Sequence, residues 1–317
     1  MRKFWLALTL VVACVLVGCT MPSVSDSAQQ EATPAEESEP EPEPLRKKPL
    51  NDYSWDELHQ ISELIAAESE PEAQREVAKS FGLVEEDGSL TRQTKQILLD
   101  DTRALDVRLA GICHDDRADD KGKAGLTFMT VGGIDLLAMN DEAKIDGGWE
   151  ASALRARLAN EQKARLAKDL VAVLVPLRKL TNNVGLTESF ESVTATDDEL
   201  WVFSVHEVCG DVVWDIEEFR GRRGGEDVDG LLNAEGVQYE AFAQEGVTGE
   251  SDPNHFLSLA DSTGTSPWWY RTPYPFDFSS YGNTGSNGYF YQVMDSGFPQ
   301  SLGSPEVPAS VVVGFCV

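Results

Sequence analysis

An alternating stretch in the first half of the chain decides the fold class: it reads ALDVRLAGIC over residues 104–113. Leu105, Val107 and Leu109 fall on one face of an extended strand, and the charged residues between them fall on the other. A second apolar stretch at residues 95–99 precedes it across a short acidic turn. The two stretches predict an antiparallel β-hairpin.

Two helices are predicted before this hairpin. Ser54 followed by Glu57 has the spacing of a capping box, and aliphatic residues recur behind it with the period of a helix. Ser69 and Glu72 repeat the capping pattern, and Gly82 is placed to end that second helix in the left-handed conformation. The loop between the helices is very short, which predicts an N-terminal helical hairpin.

Strands and long loops are predicted for the rest of the chain. The clearest segments are a strand at 126–131, a helix opening at Gly147-Gly148-Trp149, a strand at 200–204 and a closing strand at 310–317. Since helices come early and antiparallel strands come late, the sequence predicts an α+β protein: an N-terminal helical hairpin followed by a loop-rich, mainly antiparallel sheet domain.

The charge of the chain excludes one class of partner. Among its 317 residues, 54 are acidic and 26 are basic, which gives a net charge of -28. Nucleic-acid binding requires basic side chains that neutralise phosphates, so we expect no nucleic-acid partner. Hydrophobic residues make up 41% of the chain, which is enough for a packed core.

The N-terminus has the pattern of an export signal. Arg2 and Lys3 precede the apolar run Phe4–Val17, which is too short for an ordinary membrane span. The end of the run, with Gly18 before Cys19, resembles the lipobox of bacterial lipoproteins. The resemblance implies cleavage after Gly18 and lipidation of Cys19, so that lipid chains hold the protein at an extracytoplasmic membrane surface of the cell envelope. A plain signal peptide or an uncleaved anchor is the alternative.

A spacer follows the signal. From Thr20 to Pro49 no periodic pattern is present, and glutamate alternates with proline around residues 36–44. Such a segment cannot bury apolar surface and stays extended. The predicted organisation is a lipoprotein signal peptide at 1–18, a Pro/Glu-rich disordered linker at 19–50, a helical N-terminal region with the first strand at 51–104, and an α+β domain at 105–317.

Five motifs recur in the order of a known domain family: GGWxxSxLR from Gly147, TNNxG from Thr181, LWxxSxxExxG from Leu200, WWYRTP from Trp268 and VVVGFCV from Val311. The series resembles an uncharacterised domain family of bacterial surface and secreted proteins that is typified by a WWLRSP segment. The likeness covers Asp106–Val317, with mild departures at Tyr270 and Thr272. It implies a surface domain and no particular activity. The order of elements is also similar to the C-type-lectin-like and formylglycine-generating-enzyme-like fold, which is an analogy of fold alone.

The densest polar cluster follows the alternating stretch, from His114 to Gly122. Four of its carboxylates suit the oxygen coordination that Ca²⁺ prefers: Asp115, Asp116, Asp119 and Asp120. Their spacing does not match the D-x-D-x-D-G calcium loop, because Ala118 interrupts it. A solvated turn between strands is the alternative interpretation, and no other cofactor is expected.

The segment from His206 to Gly210 begins like the zinc-protease motif H-E-x-x-H. That chemistry needs a second imidazole four residues on, and position 210 is glycine. We therefore favour the start of a helix or the edge of the core at this segment. The chain also lacks a G-x-S-x-G elbow, and we assign no catalytic residue.

An aromatic cluster near the C-terminus is the candidate ligand-binding surface: Trp268, Trp269, Tyr270, Arg271, Tyr274 and Tyr281. Aromatic rings stack on sugar faces and form protein-binding hot spots. The alternative is a core plug in which the tryptophans are buried and Arg271 pairs with a carboxylate. We favour this alternative for the Trp268–Trp269 pair.

Three cysteines lie beyond the N-terminal segment: Cys113, Cys209 and Cys316. Export would allow a disulfide, but Cys113 and Cys316 fall in apolar predicted strands. We favour three buried thiols.

Together these patterns predict a lipid-anchored protein of the cell surface that displays a non-catalytic binding or adhesion domain for a glycan or protein ligand. A metal-assisted enzyme of the cell envelope, using the loop from His114 to Asp120, is the alternative. A structural component of the envelope is a third possibility.

Overall fold

The alternating stretch forms the second strand of the predicted hairpin. In the computed structural model, β1 (Lys95–Leu99) pairs antiparallel with β2 (Arg103–Ile112) in a register that places Leu105 opposite Ile97. Leu105, Val107 and Leu109 are buried, whereas the charged residues between them are partly exposed. The period of two in the sequence therefore directs one face of the hairpin into the core, as predicted.

The structure describes residues 44–100, 102–211, 228–249, 253–261, 264–275 and 288–317. The predicted signal peptide, the lipidation site Cys19, most of the predicted linker, and Tyr281 lie outside these residues. Leu45–Val317 form one compact unit. Leu50, the last residue of the predicted linker, is buried, so the folded body begins a few residues earlier than predicted.

Seven helices are present in the described part of the chain: α1 (Trp55–Ala66), α2 (Pro71–Ser80), α3 (Ala153–Arg157), α4 (Lys168–Val171), α5 (Val205–Cys209), α6 (Val228–Asn233) and α7 (Glu240–Gln244). A single π-helical turn, Leu158–Gln162, continues α3. Within the described residues, none of these helices has the length and apolar character needed to cross a membrane.

Two larger sheets carry most of the strands. The first is antiparallel and has the order β1-β2-β3-β13, where β3 is Leu126–Val131 and β13 is Gly314–Cys316. The second has the order β11-β10-β9-β12-β4: β4 (Leu136–Leu137), β9 (Trp268–Pro273), β10 (Phe290–Val293), β11 (Ser301–Gly303) and β12 (Ala309–Ser310). Among its described strands, β9 and β12 are parallel and the other neighbouring pairs are antiparallel.

Two smaller antiparallel pairs complete the described sheets: β5 (Leu177–Asn182) with β6 (Val193–Asp198), and β7 (Ala260–Asp261) with β8 (Gly264–Thr265). Helices together with mainly antiparallel sheets make this an α+β protein, which confirms the predicted class. The boundary that we placed between residues 104 and 105 falls inside β2, and β1 pairs with β2 across it.

The two N-terminal helices begin by different mechanisms. The Ser54 side chain accepts a hydrogen bond from the Glu57 N–H and the Glu57 carboxylate accepts one from the Ser54 N–H, so the predicted capping box of α1 is confirmed. For α2 the predicted cap is wrong, because Glu70 is the N-cap, its side chain makes no capping bond, and Pro71 occupies the first turn. Gly82 ends α2 with φ +75°, as predicted.

Three predicted segments differ from the structure. The segment opening at Gly147 forms turns, and α3 begins only after the N-cap Ser152. Residues 200–204 are not a strand; Trp201 makes one bridge, to Gly314. The predicted closing strand at 310–317 is divided between β12 and β13, which belong to different sheets. Short segments with few ladder bonds are set by tertiary contacts, which periodicity alone cannot predict.

An aromatic cluster fixes α1 on the first sheet. The ring centroid of Trp55 lies 5.4 Å from that of Phe128 in β3 and 5.7 Å from that of Phe315 in β13. Both contacts are edge-to-face, the geometry that aromatic quadrupoles favour. The start of α1 therefore packs on β3 and β13, the pair of strands that holds the C-terminal residues in the core.

Candidate functional site

The predicted aromatic surface is part of the core. Trp268, Trp269, Tyr270 and Arg271 have no exposed area, and Tyr274 is 5% exposed. Each indole N–H donates to a backbone carbonyl, Trp268 to Leu257 and Trp269 to Leu137. These five side chains cannot contact a ligand at the surface. The ligand-binding prediction is thus corrected for them, and the alternative that we favoured for the tryptophan pair, a core plug, is confirmed.

Arg271 pairs with a buried carboxylate, as that alternative required. Its Nη1 donates to Glu207 Oε2 and to the carbonyl of Val202. Its Nε donates to Thr181 Oγ1 at 2.8 Å, and its Nη2 to the carbonyl of Glu235 at 2.9 Å. The guanidinium therefore connects β9 to β5, α5 and the segment that follows α6.

Lys179 on β5 occupies the centre of the same region. Its Nζ lies 2.7 Å from Asp115 Oδ1 and 2.6 Å from Glu207 Oε1, and it donates to the Tyr239 hydroxyl at 2.9 Å. The side chains of Lys179 and Asp115 are each only 3% exposed. We call this set the buried polar network: Asp115, Lys179, Glu207, Glu235, Tyr239 and Arg271.

Asp115 is surrounded by donors on all sides. Its Oδ1 accepts from the Tyr239 hydroxyl at 2.7 Å, and its Oδ2 accepts from the Thr127 hydroxyl at 2.7 Å. Nδ1 of His114 lies 3.3 Å from Oδ1, and the His114 ring stacks on Tyr239 with centroids 3.8 Å apart. Burial alone would raise the pKa of this carboxyl, but the charges and hydrogen bonds of Lys179 and His114 together outweigh burial and hold the pKa well below its usual range.

Glu207 and Arg271 stabilise each other's charged forms. Burial raises the pKa of Glu207, but the charges of Arg271 and Lys179 outweigh it, so the pKa lies below its usual value. Burial lowers the pKa of Arg271, but the charge and hydrogen bond of Glu207, together with Glu235 and Tyr239, more than reverse that effect. The capping box of α5 places Glu207, because the Ser204 hydroxyl accepts from the Glu207 N–H and the carboxylate accepts from the Ser204 N–H.

The network contains three carboxylates. Among the described hydrogen bonds, Asp115 and Glu207 each bind a cationic side chain, whereas the Glu235 carboxylate binds none. Its Oε1 accepts from the Asn182 N–H at 2.9 Å, and its Oε2 is bonded to the Thr272 hydroxyl. Burial raises the pKa of Glu235 to about 7. This carboxyl therefore changes charge near neutral pH inside the core.

The motifs that carry the family resemblance meet at this network. Arg271 belongs to WWYRTP, Glu207 to LWxxSxxExxG, and Thr181 to TNNxG. Gly148 of GGWxxSxLR lies so close to the end of β5 that an added Cβ would be 2.1 Å from the carbonyl oxygen of Asn182. The residues of these motifs therefore make contacts that hold the domain together.

The four aspartates of the predicted calcium loop face different partners. Asp115 is buried, whereas the other three are exposed and form ion pairs with separate bases: Asp116 with Lys123, Asp119 with Arg117 and Lys121, and Asp120 with Arg178. No three His, Cys, Asp or Glu side chains are grouped as metal ligands in the part of the chain that the structure describes. The geometry thus favours the alternative interpretation, a solvated turn.

The His206 segment forms the short helix α5, as we favoured over a zinc motif. His206 Nδ1 contacts the carbonyl of Gly210, and Cys209 Sγ lies 3.6 Å from the Tyr270 hydroxyl. Cys113, Cys209 and Cys316 are free thiols; Cys209 and Cys316 are buried as predicted, whereas Cys113 is only partly buried. Burial raises the pKa of Cys209 to about 12 and that of Cys113 to about 11, which makes both poor nucleophiles.

An open cleft lies outside the buried polar network, between the π-helical turn after α3 and the end of β6. Its volume is about 450 Å³, and we call it the acidic cleft: Glu150, Arg155, Ala156, Ala159, Asn160, Lys163, Pro176, Asp197, Asp198, Glu199 and Leu200 line it. Arg155 is held by Asp198 at 2.6 Å, and Lys163 is held by Glu199. Single π-helical turns occur often at functional sites.

The comparisons with known proteins leave the site to be interpreted from its own geometry. No family model matches this chain, and searches of the curated proteins and of the solved structures found no match. The resemblance to the surface-protein domain family therefore stays a prediction.

Sequence reasoning missed most of the buried polar network. Lys179 is far from Glu235 and Tyr239 in the chain, and none of the three belongs to a motif of known chemistry. One signal was available: Lys179 stands on the same alternating face of β5 as Leu177 and Thr181, and these three side chains are buried whereas Arg178 and Leu180 between them are exposed. A charged residue on the buried face of a strand requires a buried partner.

Proposed function

We propose that this protein is a lipid-anchored protein of the cell surface whose folded domain binds a positively charged segment of a protein partner in the acidic cleft. The proposed anchor is supported by the apolar run that ends in Gly18 and Cys19. The proposed binding role is supported by the contrast between two sites. As far as the described residues show, the buried polar network has no open face for a substrate, whereas the acidic cleft is accessible and charged.

The charge of the cleft carries the proposal. Four carboxylates and two bases line it, so its net charge is two negative units. Arg155 and Lys163 are already held by Asp198 and Glu199, so the acidic character at the surface comes from the exposed Glu150 and Asp197, of which Asp197 lies 4.0 Å from Arg178 Nε. A lysine or arginine side chain complements such a surface, and the net charge of -28 on the whole chain would attract a basic partner from a distance.

A protein partner fits the cleft better than a glycan. Among the residues that line the cleft in the described chain, none is aromatic, so a sugar ring would have no flat face on which to stack. The aliphatic side chains of Ala156, Ala159 and Leu200 would instead cover the methylene stem of a long basic side chain.

Binding of tetralysine, tetraglutamate and soluble cell-wall glycan fragments to the purified chain would test this function. We expect tetralysine alone to bind at about 150 mM salt, by calorimetry and by NMR shifts of residues in the cleft. The double variant Glu150→Lys/Asp197→Lys should weaken binding at least about tenfold, since it replaces attraction by repulsion. Glu72→Lys, on the exposed face of α2, changes charge away from the cleft and should retain most of the affinity. Glycan binding, or equal losses in both variants, would refute the proposal.

The proposed anchor predicts a separate result. In bacterial cells that carry out lipoprotein processing, the wild-type protein should fractionate with membranes. Cys19→Ala should remove the lipid attachment and move most of the protein out of the membrane fraction, because the folded domain itself carries a strong negative charge. Ser23→Ala, in the adjacent segment, is the control and should leave the distribution unchanged. A Cys19→Ala protein that is cleaved and still membrane-bound would contradict the anchor.

A further inference from the structure

An amine and a carboxyl group are held in contact at the centre of the buried polar network. Lys179 Nζ lies 2.7 Å from Asp115 Oδ1, and a second carboxylate oxygen, Glu207 Oε1, lies 2.6 Å from the same nitrogen. The side chains of Lys179 and Asp115 are each 3% exposed, and that of Glu207 is 2% exposed. Such an arrangement places a nucleophile, an electrophile and a proton carrier together in a site that excludes bulk water.

We propose that Lys179 and Asp115 condense into an intramolecular isopeptide bond, an amide that joins Lys179 Nζ to Asp115 Cγ. This modification goes beyond the proposed function and does not depend on the acidic cleft. It needs no cofactor, oxidant or second substrate.

The atoms and protons of the step balance. The Lys179 ammonium transfers a proton to Glu207 Oε1, and the neutral amine then attacks Asp115 Cγ, which forms the C–N bond. One oxygen of Asp115 leaves as the C–O bond breaks, and it takes two protons that were originally on the lysine nitrogen. Glu207 carries the first of these protons to the leaving oxygen and is regenerated as a carboxylate. The products are one amide and one molecule of water.

Neighbouring hydroxyl groups are placed to promote the attack. The Tyr239 hydroxyl donates to Asp115 Oδ1 and the Thr127 hydroxyl donates to Oδ2, each at 2.7 Å. These donors polarise the carboxyl carbon and stabilise the negative charge that develops on its oxygens in the tetrahedral intermediate. The Tyr239 hydroxyl also lies 2.9 Å from Lys179 Nζ, so the same group positions both reactants.

Burial supplies a driving force for the condensation. The ion pair of Lys179 and Asp115 carries two charges that have been removed from water, which is costly even when the charges are paired. The amide carries no charge, and the remaining pair of Glu207 with Arg271 stays balanced. The rings of Trp201 and Tyr239 lie 4.7 Å and 5.3 Å from Lys179 Nζ and limit the access of water that would hydrolyse the product.

The bond would connect parts of the fold that lie far apart in the chain. Asp115 follows β2 of the first sheet and Lys179 lies in β5, 64 residues further on. A covalent link of this span constrains the unfolded chain in the way that a disulfide does. The described cysteines are free thiols, so this link would be a covalent staple for a domain exposed outside the cell.

Mass spectrometry of the full chain decides the proposal. The protein would be purified from cells, denatured, and digested with a protease. We expect the peptide that contains Asp115 to be joined to the peptide that contains Lys179, with a combined mass lower than their sum by one water molecule. Fragment ions should locate the link at these two residues. A wild-type digest that contains the two peptides only in unlinked form, or a loss of water located elsewhere, would overturn the proposal.

Variants separate the chemistry from the fold. Lys179→Arg keeps the positive charge but offers a guanidinium that does not condense, so the linked peptide should be absent. Glu207→Gln removes the proton carrier and should lower the linked fraction at least about tenfold. Lys95→Arg is the matched control and should leave the linked peptide in place. Lys95 is also buried, but its Nζ donates to the carbonyls of Asn51 and Tyr53 and contacts no carboxyl group of the network. Full linkage in Glu207→Gln would refute the assigned role of Glu207, and linkage in Lys179→Arg would refute the bond.

Discussion

Replacing Arg271 by leucine should destabilise the domain by about 3–5 kcal/mol, the usual cost of leaving one partner of a buried ion pair alone. The guanidinium has no exposed area and binds Glu207, Thr181 and three backbone carbonyls. Leucine fills much of the volume but removes all the hydrogen bonds that the guanidinium donates, and Glu207 keeps Lys179 and the Ser204 N–H as partners. Since small domains have a total stability of about 5–15 kcal/mol, a large share of the folded state would be lost. Chemical denaturation followed by circular dichroism measures the effect.

An exposed arginine provides the control for this prediction. Arg92 is paired with Glu245, and its side chain is 72% exposed, so Arg92→Leu should cost less than about 1 kcal/mol. The double variant Arg271→Leu/Glu207→Gln should cost less than the sum of its two single variants, because neither charge is then left alone. Equal effects of the Arg271 and Arg92 substitutions would show that the buried polar network does not support the fold.

The fold class was predictable because its decisive segments carry their own periodicity. The hairpin of β1 and β2 alternates in sequence and in burial, and α1 has both a helical period and a capping box. Elements without a strong period were predicted less well. The segment at Trp201 and the two short strands β12 and β13 have few ladder bonds, and their conformation depends on contacts with distant residues.

The buried polar network was beyond sequence reasoning for a related reason. A motif can be detected when its members are close in the chain, as Ser204 and Glu207 are. Asp115, Lys179 and Arg271 are separated by tens of residues, and only the fold brings their side chains together. The sequence predicts a role for Asp115, but with the wrong partners. It groups Asp115 with the acidic residues next to it in the chain, whereas the structure pairs it with Lys179. The pairing of Arg271 with a carboxylate could be anticipated because a buried arginine in an aromatic segment requires one.

Glu235→Gln should change how stability depends on pH. The pKa of Glu235 is about 7 in the folded protein, against the ordinary value of 4.5, so the folded state binds a proton more tightly than the unfolded state does. The stabilisation from this proton is complete below about pH 4.5 and is lost as the pH rises to about 7, a change on the order of 3 kcal/mol. Glutamine is neutral at every pH and lacks this dependence.

The difference between wild type and variant isolates Glu235 from the other buried acids. Asp115 and Glu207 have lowered pKa values, so their contribution is present above their ordinary pKa values and lost in acid, which is the opposite sign. Wild type and variant both lose this stabilisation in acid, so the contribution of Asp115 and Glu207 cancels when the unfolding free energies are subtracted at each pH. The subtracted curve should favour the variant increasingly between pH 4.5 and pH 7 and become flat above that range. Glu72→Gln controls for the loss of one surface carboxylate. A flat difference across the whole range would mean that the Glu235 carboxyl is charged in the folded core at the same pH as in the unfolded chain, and burial would then not govern its protonation.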